Sequence, residues 1–89
     1  MPESSELEVA MPDDVTLHAR PAGQFVKTAL RFRSQILVAA AGKEADAKSI
    51  LGVLALGAKG GTLLTLTATG EDAASALTAL ATCVADLTE

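Results

Sequence analysis

Within "TLHARPAG", Thr16 to Gly23, stand the one histidine of the chain, an arginine two residues later and a proline immediately after that. A proline fits the first turn of a helix, where its missing N–H is not needed, so the helical period that follows predicts a helix starting at Ala19 with His18 as its N-cap. The amides of Ala19 and Arg20 then have no partner in their own helix and, with the positive end of the dipole, favour an anion there. Such a place disfavours an imidazolium, so the expected histidine is neutral, with one ring nitrogen available as a nucleophile. A phosphoryl group taken up on that nitrogen would be an anion at a helix start beside Arg20, whose planar fork matches phosphate oxygens and keeps its charge. The chemistry suggested is covalent phosphoryl acceptance on histidine. A plain surface or capping histidine suits the same spacing. A metal centre is the weaker alternative, since no second histidine and no nearby cysteine completes a ligand set, and nothing close in sequence would activate water for hydrolysis.

A second hydroxyl-bearing position is Ser49, which opens "SILGVLALG". Serine before an apolar run is an N-cap signal, and Gly57 stands where a left-handed C-cap is expected. This short helix has more apolar positions than one buried stripe can hold. Val53 and Leu56 share a face that turns inward, while Ile50, Leu51 and Leu54 are left for the other sides, an exposed apolar patch suited to docking. Cys83 lies among alanines on a helical pattern and reads as a small buried hydrophobe.

The elements that must hold these residues follow from the periodicity. "ELEVAM" alternates with Leu7, Val9 and Met11 on one side, the pattern of a half-buried strand, and "PDD" interrupts it. From Ala19, the residues Ala22, Phe25, Val26, Ala29 and Phe32 recur at helical spacing. "QILVAA" and "KEADAK" flank Ala41-Gly42 as the arms of a hairpin, the second short and charged as an edge strand should be. Gly60-Gly61 marks a turn before the strand "TLLTLTAT". The last segment, "GEDAASALTALATCVADL", is an amphipathic helix with a stripe of Ala73, Leu77, Leu80, Ala81, Val84 and Leu87, and with Glu71 and Asp72 near the positive end of its dipole. The order βαββαβα predicts an α+β domain, a four-stranded antiparallel sheet with three helices on one face.

Composition bounds the partners. A chain of 89 residues with 49% hydrophobic content reads as one domain over residues 1–89, burying about 60–65% of its unfolded surface. A formal charge of −4 with no Trp or Tyr argues against nucleic acid. No apolar run approaches the roughly 20 residues of a bilayer span, and the acidic start "MPESSELEV" lacks a signal peptide's basic and apolar regions. A cytoplasmic protein is therefore expected. The lone Cys83 excludes an internal disulfide.

"LHARPAGQFVKTA" resembles the active-site signature of the HPr family, the histidine-containing phosphocarriers of the bacterial phosphoenolpyruvate:sugar phosphotransferase system. "AKSILGVLALGAKGG" resembles the same family's second signature, around its regulatory serine. The resemblance implies an open-faced two-layer β-sandwich in which His18 accepts phosphate on Nδ1 from phosphorylated Enzyme I and passes it to the IIA domain of a sugar permease. It implies that Arg20 steadies the phosphate and that Ala19 and Arg20 offer backbone N–H groups. It assigns Ala19, Arg20, Gly23, Lys27, Ile50, Leu51 and Leu54 to the docking face, with Gly23 allowing close approach and Lys27 steering acidic partners. The carrier would be a monomeric protein cosubstrate rather than an enzyme, with no bound cofactor, Mg²⁺ and phosphoenolpyruvate being used by Enzyme I. At Ser49 it implies ATP-dependent modification by HPr kinase/phosphorylase, adding about two negative charges to the docking patch, and a contact of the modified form with catabolite control protein A.

Thr16 departs from this pattern, since most family members have glycine there. The loop "MPDDVTLH" is also a residue longer and carries Asp13 and Asp14. These differences predict a changed loop path and a weakened phosphate site or a raised histidine pKa. They leave open a regulatory paralogue that serves metabolic control rather than sugar uptake. From another class, an α+β interaction module would use His18 as a cap and the apolar patch for a homodimer.

Overall fold

The computed structural model describes residues 4–87, so the first three residues of the acidic N-terminal stretch and the last two of the chain lie outside it. In chain order the elements are β1 (Ser4–Ala10), α1 (Ala19–Ala29), β2 (Gln35–Ala40), β3 (Lys43–Asp46), α2 (Ile50–Leu56), β4 (Leu63–Thr69) and α3 (Ala73–Ala85). The strands form one antiparallel sheet in the order β1-β4-β2-β3. The βαββαβα expectation therefore holds, with the short charged β3 at an edge.

Alternation decides which sheet face is covered. On β2 and β4 the buried residues are Ile36, Val38, Ala40, Leu64, Leu66 and Ala68, and the helices pack over that side. Helix α1 contributes Ala22, Phe25, Val26 and Ala29 to the same core. Phe32 lies beyond the end of α1 and is only half-buried. Helix α3 buries Ala76 beside Ala73, Leu77, Leu80 and Val84, while the expected stripe member Ala81 is half-buried. The buried stripe is thus turned toward Ala76, and Cys83, read from sequence as buried, is half-buried. Strand β1 pairs on one side only, which leaves Leu7 exposed and Val9 half-buried despite their facing the helices.

The hairpin turns through Ala41 and Gly42, both with positive φ, as a two-residue connection requires. Another junction pins the loop that precedes α1. The Met11 N–H donates to Thr62 O at 2.8 Å and the Gly61 N–H to Met11 O at 3.1 Å. A Cβ on Gly60 would fall on the Asp13 carbonyl oxygen. The backbone of the turn before β4 thus lies directly against the loop before α1, and only glycine permits that approach.

Candidate functional site

Three buried side chains, Met11, Val15 and Leu17, anchor the loop that presents the histidine. Between the first two, the Val15 N–H donates to Pro12 O at 3.2 Å and closes a turn that leaves Asp13 and Asp14 exposed. The Leu17 N–H donates to Ala58 O at 2.7 Å, which ties the start of α1 to the segment leaving α2. His18 follows as the N-cap of α1 in extended backbone, φ −109° and ψ −160°, and is exposed. Its carbonyl accepts from the Ala22 N–H at 2.8 Å and its own N–H donates to Thr16 O at 2.8 Å.

The His18 side chain makes no capping hydrogen bond. The amides of Ala19 and Arg20 still lack partners within their helix, and both residues are exposed. Thr16 raises no backbone conflict. Among the described residues Ala41 is the only one other than glycine with positive φ, so the loop reaches His18 without the conformation that would demand glycine.

Arg20, Gly23 and Lys27 lie along the solvent side of α1, opposite its buried stripe. A Cβ at Gly23 would meet nothing within 4 Å. Packing within the chain therefore does not require glycine there, and its effect is a flat place on the surface. Lys27 occupies the last turn of α1, where a cation suits the dipole.

Helix α2 begins with Ser49 as N-cap, its Oγ accepting from the Gly52 N–H at 3.1 Å, and ends at Gly57 with φ 59°. Val53 and Leu56 are buried, as expected. Ile50 and Leu51 are 40% and 76% exposed. Leu54, expected on the outer surface, is instead half-buried and packed against the core. The outward patch is thus Ile50 and Leu51, with Leu54 at its inner margin. Helix α2 is 7 residues long, so the patch lies about 10 Å along it from the clasp at Ala58. Ser49 also borders a shallow groove of about 500 Å³ between α2 and β3, floored by Ala45, Gly52 and Leu56.

Sequence reasoning missed two supports of this site. One is the contact of Gly60 with Asp13, for which adjacent glycines signalled a turn but not its neighbour. The other is Lys48, whose Nζ donates to Phe32 O at 2.7 Å, joining the segment before α2 to the end of the α1 connection. A lysine beside a helix start gives no sequence signal for such a bond.

The family described as "PTS HPr component phosphorylation site" matches residues 5–86. The phosphocarrier protein HPr of Haemophilus influenzae is 52% identical over 56 residues, covering 63% of this chain and 66% of the relative. The HPr-like protein Crh of Bacillus subtilis is 48% identical over 65 residues, 73% of this chain and 76% of Crh. Among solved structures, HPr of Thermoanaerobacter tengcongensis superposes with a TM-score of 0.86 at 40% identity over 91% of each chain. An HPr from the same organism has also been solved as a dimer, with a TM-score of 0.73 at 45% identity over 78% of this chain and 79% of that one.

Proposed function

Because the chain belongs to the HPr family of phosphocarriers of the phosphotransferase system, a carrier and not a catalyst in its own right, we propose that its carrying atom is Nδ1 of His18. The observation that supports this most directly is the exposure of His18 at the start of α1 beside Arg20. In the first transfer the Nδ1 lone pair attacks phosphorus in the phosphohistidine of Enzyme I. The new N–P bond forms as the donor's N–P bond breaks, and the donor imidazole leaves with that electron pair. No proton need cross, since the His18 ring keeps its proton on Nε2. The second transfer reverses the roles toward a IIA domain. Arg20 and the Ala19 and Arg20 amides hold the phosphoryl oxygens in both. The carrier itself uses no cofactor, Mg²⁺ being required by Enzyme I.

Docking uses Ala19, Arg20, Gly23 and Lys27 on α1 with Ile50 and Leu51 on α2, and Leu54 supports the patch from below. A carrier must release as readily as it binds, so each interface is small, below about 1,200 Å². The protein works as a cytoplasmic monomer. Among the described residues no helix is long and apolar enough to cross a membrane. Solution mass during turnover tests the monomer, since the relative from T. tengcongensis has been seen as a dimer.

The test is intact mass after incubation with Enzyme I, Mg²⁺ and phosphoenolpyruvate. One acid-labile, base-stable phosphate, absent from His18→Ala, is the expected result. No phosphate, with the same Enzyme I active on another carrier, would exclude His18 as acceptor.

The similarity to Crh favours a regulatory role as a second reading. In it Ser49 is phosphorylated by HPr kinase/phosphorylase with ATP, which places about two negative charges beside Ile50 and Leu51 and repels acidic Enzyme I. The modified form would then meet a corepressor-type partner such as catabolite control protein A. Incubation with that kinase and ATP should label the wild type and leave Ser49→Ala unlabelled.

A further inference from the structure

The sheet face turned away from the helices has its own order. Register places Glu6, Thr67, Leu37 and Asp46 in one row across the four strands, and Glu8, Thr65, Ala39 and Glu44 in the next. Each row therefore has a carboxylate at both margins and uncharged residues between. Leu37, Ala39, Thr65 and Thr67 are half-buried, the four carboxylates are exposed, and Leu63 extends the neutral strip at 51% exposure. None of the seven Lys and Arg residues occupies a strand position on this face. Arg20 and Lys27 are on α1, Arg31, Arg33, Lys48 and Lys59 are in connections, and Lys43 pairs with the buried Ala40 on the helix side.

We propose that this face is a second docking surface, distinct from the His18 side, and that it takes a basic amphipathic helix of a partner protein. The two acidic margins are separated by three strand spacings, about 14 Å. A helix about 10–12 Å across, laid along the strands, would set an apolar stripe on Leu37, Ala39 and Leu63. Its lysines or arginines would splay to the carboxylates on both sides. The 7 residues of β4 span about 23 Å, the length of a helix of about 15 residues. Charge excludes the obvious competitors. A second copy of the same face would oppose carboxylate to carboxylate, and nucleic acid or an anionic membrane would be repelled.

The probe is a synthetic helical peptide of about 15 residues with a leucine stripe flanked by lysines, titrated into the ¹⁵N-labelled protein. The expected result is amide shifts in β1, β4, β2 and β3 centred on the two rows, absent with a counterpart carrying glutamates for lysines. The triple variant Glu6→Gln, Glu8→Gln, Glu44→Gln should weaken binding by about tenfold and still be phosphorylated by Enzyme I at the wild-type rate. Asp46 is left in place because its Oδ1 accepts from the Lys48 N–H at 2.9 Å. Shifts mapping to Ile50 and Leu51, binding unchanged in the triple variant, or no shifts at all would overturn the proposal. So would self-association of the variant with no change in peptide affinity, which would make the carboxylates edge guards alone.

Discussion

The carboxylate of Asp72 ties the start of β2 to the start of α3. It accepts from the Ser34 hydroxyl, from the Ser34 N–H at 2.9 Å and from the Arg33 N–H at 2.9 Å. The Ser34 hydroxyl first, then the Arg33 amide, hold its pKa at about 2, against an ordinary 3.8 and against a smaller opposing effect of burial. Well above the ordinary value of 3.8 the group is ionised in the folded and unfolded chain alike, and its stabilisation is fully present. As pH falls toward about 2 the unfolded chain takes up the proton first, and below that the folded form does too, so the contribution is lost across that window. Urea midpoints measured from pH 2 to pH 6 should fall with acid in the wild type and less steeply in Asp72→Asn. Equal slopes would mean the clasp has no ionic character. At the same scale, Arg20 is exposed, so Arg20→Ala should leave thermal stability unchanged while slowing phosphoryl transfer roughly tenfold or more. Arg20→Lys should recover only part, because an ammonium lacks the fork that bonds two oxygens.

Helix α2 shows what a short element needs. At 7 residues it is below the length at which a helix holds itself together in water, so its cap and its buried pair Val53 and Leu56 sustain it. Ser49→Ala should cost about 1 kcal/mol in chemical denaturation, leaving Lys27 and Arg20 and hence phosphoryl acceptance in place. Gly60→Ala is the sharper test of how the histidine loop is held. Its Cβ must displace the Asp13 carbonyl, so both stability and transfer rate should drop, whereas an alanine at Gly23, with open space around it, should affect only partner binding. These elements were readable from sequence to different degrees. Helix α1, the hairpin at Ala41-Gly42 and the caps of α2 follow from local spacing and turn chemistry, and the histidine at the head of α1 follows with them. Gly60 against Asp13, Asp72 on Ser34 and the burial of Leu54 depend on residues far apart in the chain or on neighbouring helices, which no local pattern encodes. Thr16 shows the reverse case, a departure from motif that suggested a different loop and that the backbone absorbs in an ordinary conformation.

At the scale of the molecule, charge is spread unevenly among the elements. The helices α1, α2 and α3 contain no Asp or Glu, and the acids are confined to strands, connections and chain ends. The proposed docking face joins exposed Ile50 and Leu51 with Arg20 and Lys27, a combination that would suit an acidic partner with an apolar centre. Two consequences separate recognition from folding. Association with phosphorylated Enzyme I should slow as salt rises from about 0.01 M to about 1 M, since exposed charges are screened over that range, while the transfer step within the complex changes little. Leu51 makes so few contacts with its own chain, at 76% exposure, that Leu51→Glu should shift stability by no more than about 0.5 kcal/mol. It should nonetheless raise KM for phosphorylated Enzyme I, because a carboxylate would enter the apolar centre and repel an acidic partner. Val53→Ala, on the buried side of the same helix, should do the opposite, lowering the melting temperature with a smaller effect on KM. Steady-state transfer kinetics and thermal melts on the two variants would show whether the sides of α2 divide the work in this way. A Leu51→Glu protein with an unchanged KM would remove α2 from the docking face and leave recognition to α1.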